Sequence, residues 1–367
     1  MARLVTTRFR CYATARLDLD RRPVVLTGPN GAGKTNLLEA VSLLGPGRGL
    51  RRARLPDIDR LGDDGGWGVA AIVQTPGGTV EIGTGREPGG ERRTIQIDGK
   101  AARGQSALAE HVSVLWLTPE MDRLFREGSY GRRRFLDRLV YGFDPAHAGR
   151  VAAYEQAMRD RSRLLQEGTA DGTWLSVLED DMAARGVAIS AARLDMVRRL
   201  DRALATSDGT FPGVALAVTG TVEDWLAEIP ALAAEDRLKE ALRANRRLDA
   251  QTGTTAAGPH RSDLEAWHLP RKMPADRCST GEQKAMLIAI VLAEARLQSV
   301  ERGVAPLLLL DEVAAHLDED RRAALFDEIC ELPGQTWMSG TDEALFEALG
   351  RRAQRYAVAD AAVRRMY

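Results

Sequence analysis

The chain has 367 residues, with 51 Lys and Arg against 52 Asp and Glu, a formal net charge of -1. At 44% hydrophobic and 28% charged it is an ordinary globular composition, long enough to build a core without disulfide staples. Near-neutral charge excludes a uniformly basic nucleic-acid coat but leaves a local basic face open, and no apolar run approaches the ~20 residues of a membrane helix. The opening Met1-Ala2-Arg3-Leu4-Val5-Thr6 lacks the apolar core of a signal peptide. Cys11, Cys278 and Cys330 are too scattered for a disulfide framework or a zinc site. Reduced thiols, a cytoplasmic location and no membrane partner are expected.

The first third reads as strands and turns. Residues 22–27 are a short apolar run, followed by Gly-rich residues and a helical pattern at Leu37, Leu38, Val41 and Leu44. Alternating runs at Trp67–Gln74, Thr79–Gly83 and Arg92–Asp98 are separated by Pro76-Gly77-Gly78 and Pro88-Gly89-Gly90, which predicts an antiparallel meander. His111–Leu117 reads as a buried strand.

From about Tyr130 to Leu248 the chain turns Ala-, Arg- and Leu-rich. Ile189, Met196, Leu200 and Leu204 fall on one helix face, and Leu238, Leu242, Asn245 and Leu248 repeat the helical spacing. Val214–Val218 is the one strand-like stretch. The last third returns to the first style. Leu307–Leu310 is a bare apolar run of the kind buried on both faces of a parallel sheet, flanked by helical patterns at Ala285–Leu297 and Arg321–Cys330. Gln335–Met338 is a further strand. The expected organisation is a sheet split in sequence: residues 1–139 and 251–367 form an α/β ATPase-like head, and residues 140–250 form a mainly helical arm inserted between its halves.

Gly28-Pro29-Asn30-Gly31-Ala32-Gly33-Lys34-Thr35 satisfies G-x-x-x-x-G-K-[ST] and lies between a strand and an amphipathic helix, as a phosphate loop must. Glycines let backbone N–H groups wrap phosphate oxygens, the helix adds its positive end, Lys34 reaches the β and γ phosphates, and Asn36 follows in the first turn. The Thr35 hydroxyl is placed for Mg²⁺. Asp311 and Glu312 end the apolar run: Asp311 is expected to hold Mg²⁺, and Glu312 to act as general base toward the attacking water. Ser279-Thr280-Gly281-Glu282-Gln283-Lys284 precedes an apolar helix, where helix capping is the simpler role. Of five lysines in the chain, Lys34 and Lys284 lie inside these motifs. Arg48, Arg51, Arg52 and Arg54 form one basic cluster, and Arg132, Arg133 and Arg134 another. Each is read either as solvated or internally paired arginine (with Asp57 or Asp59 in the first case) or as sequence-independent contact to a phosphate backbone.

Taken together, Ser279–Gln283 resembles the signature of the ATP-binding-cassette ATPases, and Leu317-Asp318 resembles their D-loop. His316 is expected to be a surface or packing histidine. The order of phosphate loop, insertion, signature, acids and D-loop resembles the head of SMC-like ATPases with a short arm in place of a coiled coil. Thr6–Tyr12, Arg132-Arg133-Arg134-Phe135-Leu136-Asp137 and Gly258-Pro259-His260-Arg261-Ser262-Asp263-Leu264 resemble three elements of the RecF family, and the resemblance covers essentially the whole chain. It implies a two-lobed ABC-type P-loop head (α/β, mixed sheet with flanking helices) with ATP and Mg²⁺ as cofactors. It further implies an ATP-dependent homodimer in which Ser279, Thr280, Gly281, Glu282 and Gln283 close over the partner's nucleotide, action on gapped DNA, RecO and RecR as partners, and a slow, switch-like ATPase. Two departures stand out. Glu120 or Gln74 is the nearest thing to a Q-loop glutamine, and Thr341 or Asp342 stands where a switch histidine is usual. A transporter's nucleotide-binding subunit is the alternative, and an appended nuclease is disfavoured because no second cluster of acids is present.

Overall fold

The computed structural model describes residues 1–63, 65–168, 172–205, 210–303 and 305–366. The chain divides into two compact units: residues 1–122 and 280–367 with a short stretch ending at Pro212, and residues 123–207 with 213–279. The second is wider than the expected insertion of 140–250, because the flanking residues 123–139 and 251–279 belong to its interior rather than to the head.

The first unit begins with β1 (Arg3–Phe9), β2 (Tyr12–Asp18), β3 (Val24–Thr27), α1 (Lys34–Ser42), β4 (Trp67–Thr75), β5 (Gly78–Arg86), β6 (Thr94–Ile97), β7 (Lys100–Ala101) and β8 (Val114–Leu117). The second unit contains α2 (Ser129–Tyr141), α3 (His147–Glu167), α4 (Gly172–Ala205), β9 (Val214–Thr219), α5 (Thr221–Glu228), α6 (Ala231–Ala244), α7 (Arg246–Thr252), β10 (Asp263–His268) and β11 (Met273–Pro274). The first unit resumes with α8 (Thr280–Arg302), β12 (Leu307–Leu310), α9 (Glu319–Glu331), β13 (Thr336–Gly340), β14 (Gln354–Ala359) and β15 (Ala362–Arg365).

The first unit holds two sheets. An antiparallel sheet in the order β2-β1-β4-β5-β6-β7 contains the expected meander and buries alternate residues such as Leu4, Leu17, Val69 and Ile82. Arg8 takes φ 49°, which breaks the alternation and turns Phe9 inward, where its ring meets Trp67 edge-on at 5.7 Å. The other sheet runs β15-β14-β3-β13-β12-β8. Its strands from β14 to β8 are parallel and β15 is antiparallel. All four leucines of β12 are buried, as their uninterrupted apolar run requires. The sheet is indeed split in sequence: β3 and β8 come from one end of the chain, β12 to β15 from the other. His111–Leu117 is strand only from Val114, because residues 105–110 coil into a 3-10 helix that ends at His111.

In the second unit Ile189, Met196, Leu200 and Leu204 are buried along α4, and Leu238 and Leu242 along α6. Leu248 leaves that stripe and is exposed, because α6 ends at Ala244 and the chain re-enters a helix at Arg246. The unit is also tied by buried charge. Arg161, fully buried, donates to Glu179 Oε1 at 3.0 Å, Asp249 Oδ2 at 2.7 Å and the Leu242 carbonyl at 2.7 Å. A buried guanidinium is tolerated only with this many partners.

Candidate functional site

Strand β3 delivers the chain to Gly28, whose φ is +154° and where a Cβ would lie 2.0 Å from the Val358 carbonyl oxygen. Gly33 precedes α1 at φ +111°, and a Cβ there would meet Tyr12 Oη at 2.6 Å and Cys11 Sγ at 2.8 Å. No other residue type fits either position. No side chain caps α1, so the first-turn amides are presented to the loop, the arrangement that binds anions. Lys34 arches back over the loop and donates from Nζ to the carbonyls of Gly28 at 2.7 Å and Pro29 at 2.9 Å. Burial lowers the pKa of its ammonium, while the carboxylates of Glu312 and Asp311 oppose the shift. A concave surface here is lined by Asn30, Gly31, Gly33, Lys34, Thr35, Asn36, Arg51 and Glu312. Pro29 and Ala32 belong to the same turn, closed by the Ala32 amide donating to the Pro29 carbonyl at 3.3 Å.

The acids arrive from β12, two strands away from β3. Thr35 Oγ1 donates to Asp311 Oδ1 at 3.1 Å, which joins the loop to the strand end. Asp311 also accepts from Ser339 Oγ at 2.5 Å, and the same hydroxyl accepts from the Glu312 amide at 3.0 Å. Glu312 adopts φ 54°, a conformation unfavourable for glutamate that turns its side chain into the concave surface. Sequence reasoning missed Ser339, fixing instead on Thr341 and Asp342, which are exposed. The Asp342 carboxylate accepts only the local amide of Ala344, at 2.9 Å. The available signal was position: β13 lies between β12 and β3, so the hydroxyl at its carboxyl end faces both. The two candidates for a Q-loop residue lie elsewhere. Gln74 accepts from Arg21 at 3.4 Å at the end of β4, and Glu120 is exposed on the turn after β8.

The arginines are distributed differently from expectation. Arg51 is bound to the helix it follows: Nη1 donates to Asn36 Oδ1 at 2.7 Å and to Glu39 Oε2 at 3.3 Å. Its acid is thus Glu39 rather than Asp57 or Asp59, and Glu39 is shared with Arg10 at 2.7 and 2.8 Å. Arg52 and Arg54 are exposed. Thr280 and Gly281 open α8 exposed, Ser279 just before them is exposed as well, Glu282 is half-buried and Gln283 is buried. Asp318 caps α9 by accepting from the Arg321 amide at 2.8 Å, with its side chain 58% exposed. The side chain of His316 lies outside the described residues.

The remaining motifs fold onto one another inside the second unit. Arg132 donates through Nε and Nη2 to both carboxylate oxygens of Asp263, each at 2.7 Å, and Arg133 donates to the Ser262 carbonyl at 2.7 Å. Asp137 is buried, accepts from Arg193 twice at 2.8 Å and pairs with His147 Nε2 at 2.8 Å. Arg134 lies over the ring of Tyr130 at 5.3 Å. The second basic cluster is therefore internal in Arg132 and Arg133.

The family model of the RecF/RecN/SMC N-terminal domain matches residues 1–353. A DNA replication and repair protein RecF of Rhizobium meliloti is 52% identical over 367 residues, covering 99% of this chain and 98% of that one. Its counterpart in Rhizobium leguminosarum bv. trifolii is 51% identical over 364 residues, covering 98% and 97%. The chain belongs to the RecF family. Its fold also matches a solved structure described as the recombination mediator protein RecF-ATP in the RecFOR pathway, with TM-score 0.85 at 20% identity over 100% of this chain and 97% of that one. An SMC head domain from Pyrococcus furiosus matches less closely, at TM-score 0.55, 16% identity and coverage of 100% and 95%. The fold is the ABC-type ATPase head shared by RecF and SMC proteins. In this RecF-family chain the RR-x-FLD and GPHR-x-DL elements form one interlocked joint. Gly258 leaves no room for a side chain, since a Cβ would lie 2.2 Å from Tyr154 Oη. That hydroxyl bonds His260 Nδ1 at 2.8 Å, while His260 Nε2 faces the Thr255 carbonyl at 2.9 Å.

Proposed function

We propose that this chain binds ATP on its phosphate loop, closes as an ATP-dependent homodimer on gapped or duplex DNA, and works in the cytoplasm with RecO and RecR in recombinational repair. The observation that carries the reading is the joining of Thr35, Asp311, Ser339 and Glu312 against the loop, an arrangement with no purpose in a merely structural turn. Lys34 and the amides of Gly31, Gly33 and the first turn of α1 bind the phosphates. The Thr35 hydroxyl and the Asp311 carboxylate are hard oxygen donors 3.1 Å apart, so they fit Mg²⁺, which would neutralise phosphate charge there. Glu312 takes the proton of the attacking water. The exposed start of α8, with Ser279, Thr280 and Gly281, is available to the partner's nucleotide. Glu282 and Gln283 support it from within the helix, and Asp318 lies in the D-loop beside the same site.

Arg52 and Arg54 are the free basic groups of the first cluster and are read as DNA-backbone contacts. Arg51 is held on α1 and belongs to the nucleotide side. A transporter's nucleotide-binding subunit, the other reading of these motifs, is not favoured by relatives that match along the whole chain. The test is ATP hydrolysis with and without gapped DNA, with a nuclease control on the same DNA and sizing with and without ATP. Lys34→Met removes the cation that meets the phosphates and is expected to abolish tight ATP binding, DNA-stimulated turnover and dimer formation. Normal binding and turnover by that variant would show the phosphate-loop reading to be wrong.

A further inference from the structure

Lys284 is the motif lysine left without a role by the account above. It lies early in α8, just past Gln283, and its side chain is 5% exposed. Burying an ammonium this deeply is costly unless an anion faces it. Its Nζ stands 3.4 Å from Asp122 Oδ2. Asp122 belongs to the turn that follows β8, and β8 is the parallel neighbour of β12, with Leu117 beside Leu310. The Asp311 amide donates to the Leu117 carbonyl at 2.9 Å, so this turn and the catalytic acids leave adjacent strand ends together. The Glu312 carboxylate acts electrostatically on Lys284 as well as on Lys34. Glu312 therefore stands between two ammonium groups.

We propose that Lys284 is a positioning residue for hydrolysis: its ammonium holds Asp122 and Glu312 against each other at the two strand ends, and keeps the base in place once Lys34 is engaged by phosphate. The proposal rests on the reading of Glu312 as the general base. Without Lys284, two carboxylates face each other across a buried space with no cation between them, and like charges at that range drive each other apart. Lys284 does not line the nucleotide-facing surface, so its loss falls on turnover rather than on affinity.

The experiment uses the full chain with gapped DNA and measures ATP affinity and turnover separately. Lys284→Met is expected to bind ATP within about twofold of wild type and to turn over at least about tenfold more slowly. Lys284→Arg, which keeps the charge, is expected to retain a third or more of the rate, roughly. In a Glu312→Gln background the base is already lost, and Lys284→Met is expected to change the residual rate by less than about twofold. A role confined to pinning α8 would instead multiply the two losses. Asp122→Asn, at a half-exposed position, gives a second route: slower turnover with unchanged affinity, even if Lys284→Met does not fold. Turnover near wild type in Lys284→Met or in Asp122→Asn, or multiplicative loss with Glu312→Gln, overturns the proposal. Failure of the wild-type chain to bind ATP overturns the phosphate-loop reading instead, so the two failures are distinct.

Discussion

Replacing Ser339 by alanine tests whether the catalytic acids are held as the structure shows. The hydroxyl is 1% exposed, donates to Asp311 Oδ1 at 2.5 Å and accepts from the Glu312 amide at 3.0 Å. Its removal takes a charge-assisted hydrogen bond from Asp311, worth about 1.5–3 kcal/mol, and leaves the Glu312 amide without its acceptor, worth about 1–3 kcal/mol. Asp311 keeps the Thr35 bond and relaxation recovers part of the remainder, so a net loss of about 2–4 kcal/mol is expected. The same bond holds Glu312 at its unfavourable φ, so the base loses its aim and ATP turnover falls by about tenfold or more. Urea unfolding of the variant gives the first quantity and DNA-stimulated hydrolysis the second. A midpoint unchanged within error together with wild-type turnover would refute the claim that Ser339 organises the acids.

Other outcomes follow from the same geometry. Glu312→Gln keeps size and polarity but takes no proton from water, so it is expected to bind ATP, hydrolyse it at least ~10²-fold more slowly and accumulate as dimer, which sizing would reveal. Arg52→Ala with Arg54→Ala is expected to weaken binding equally for unrelated DNA sequences. The slope of log affinity against log salt should become shallower by about 0.9 for each duplex phosphate that the variant no longer neutralises. An unchanged slope with lowered thermal stability would return both arginines to a structural role. Burial depresses the His260 imidazole from its ordinary 6.5 to about 4. Because the unfolded chain then binds more protons than the folded one, stability is full above about pH 6.5 and is lost as pH falls toward 4, by at most roughly 3 kcal/mol. His260→Gln should flatten that part of the pH–stability curve, and an equal acid loss in the variant would move the cause elsewhere.

Much of this protein was legible in residues 28–35, 279–283, 307–312 and 317–318, because a phosphate loop and a buried parallel strand impose local rules. Glycine is demanded wherever backbone approaches backbone or phosphate, and a strand covered on both faces reads as an unbroken apolar run. The resemblance of RR-x-FLD and GPHR-x-DL to one family was likewise visible, although not their purpose. What the sequence did not determine is which distant groups meet. Arg51 reads as one of several basic residues, and only the path of the chain after α1 brings it back onto Asn36 and Glu39. Arg132 and Asp263 are far apart in sequence, and only the fold of the second unit makes them a bidentate pair. Ser339 carries no motif at all. It became part of the site because β13 lies between β12 and β3, and adjacency of strands in a sheet is decided by burial of their faces rather than by any local residue pattern.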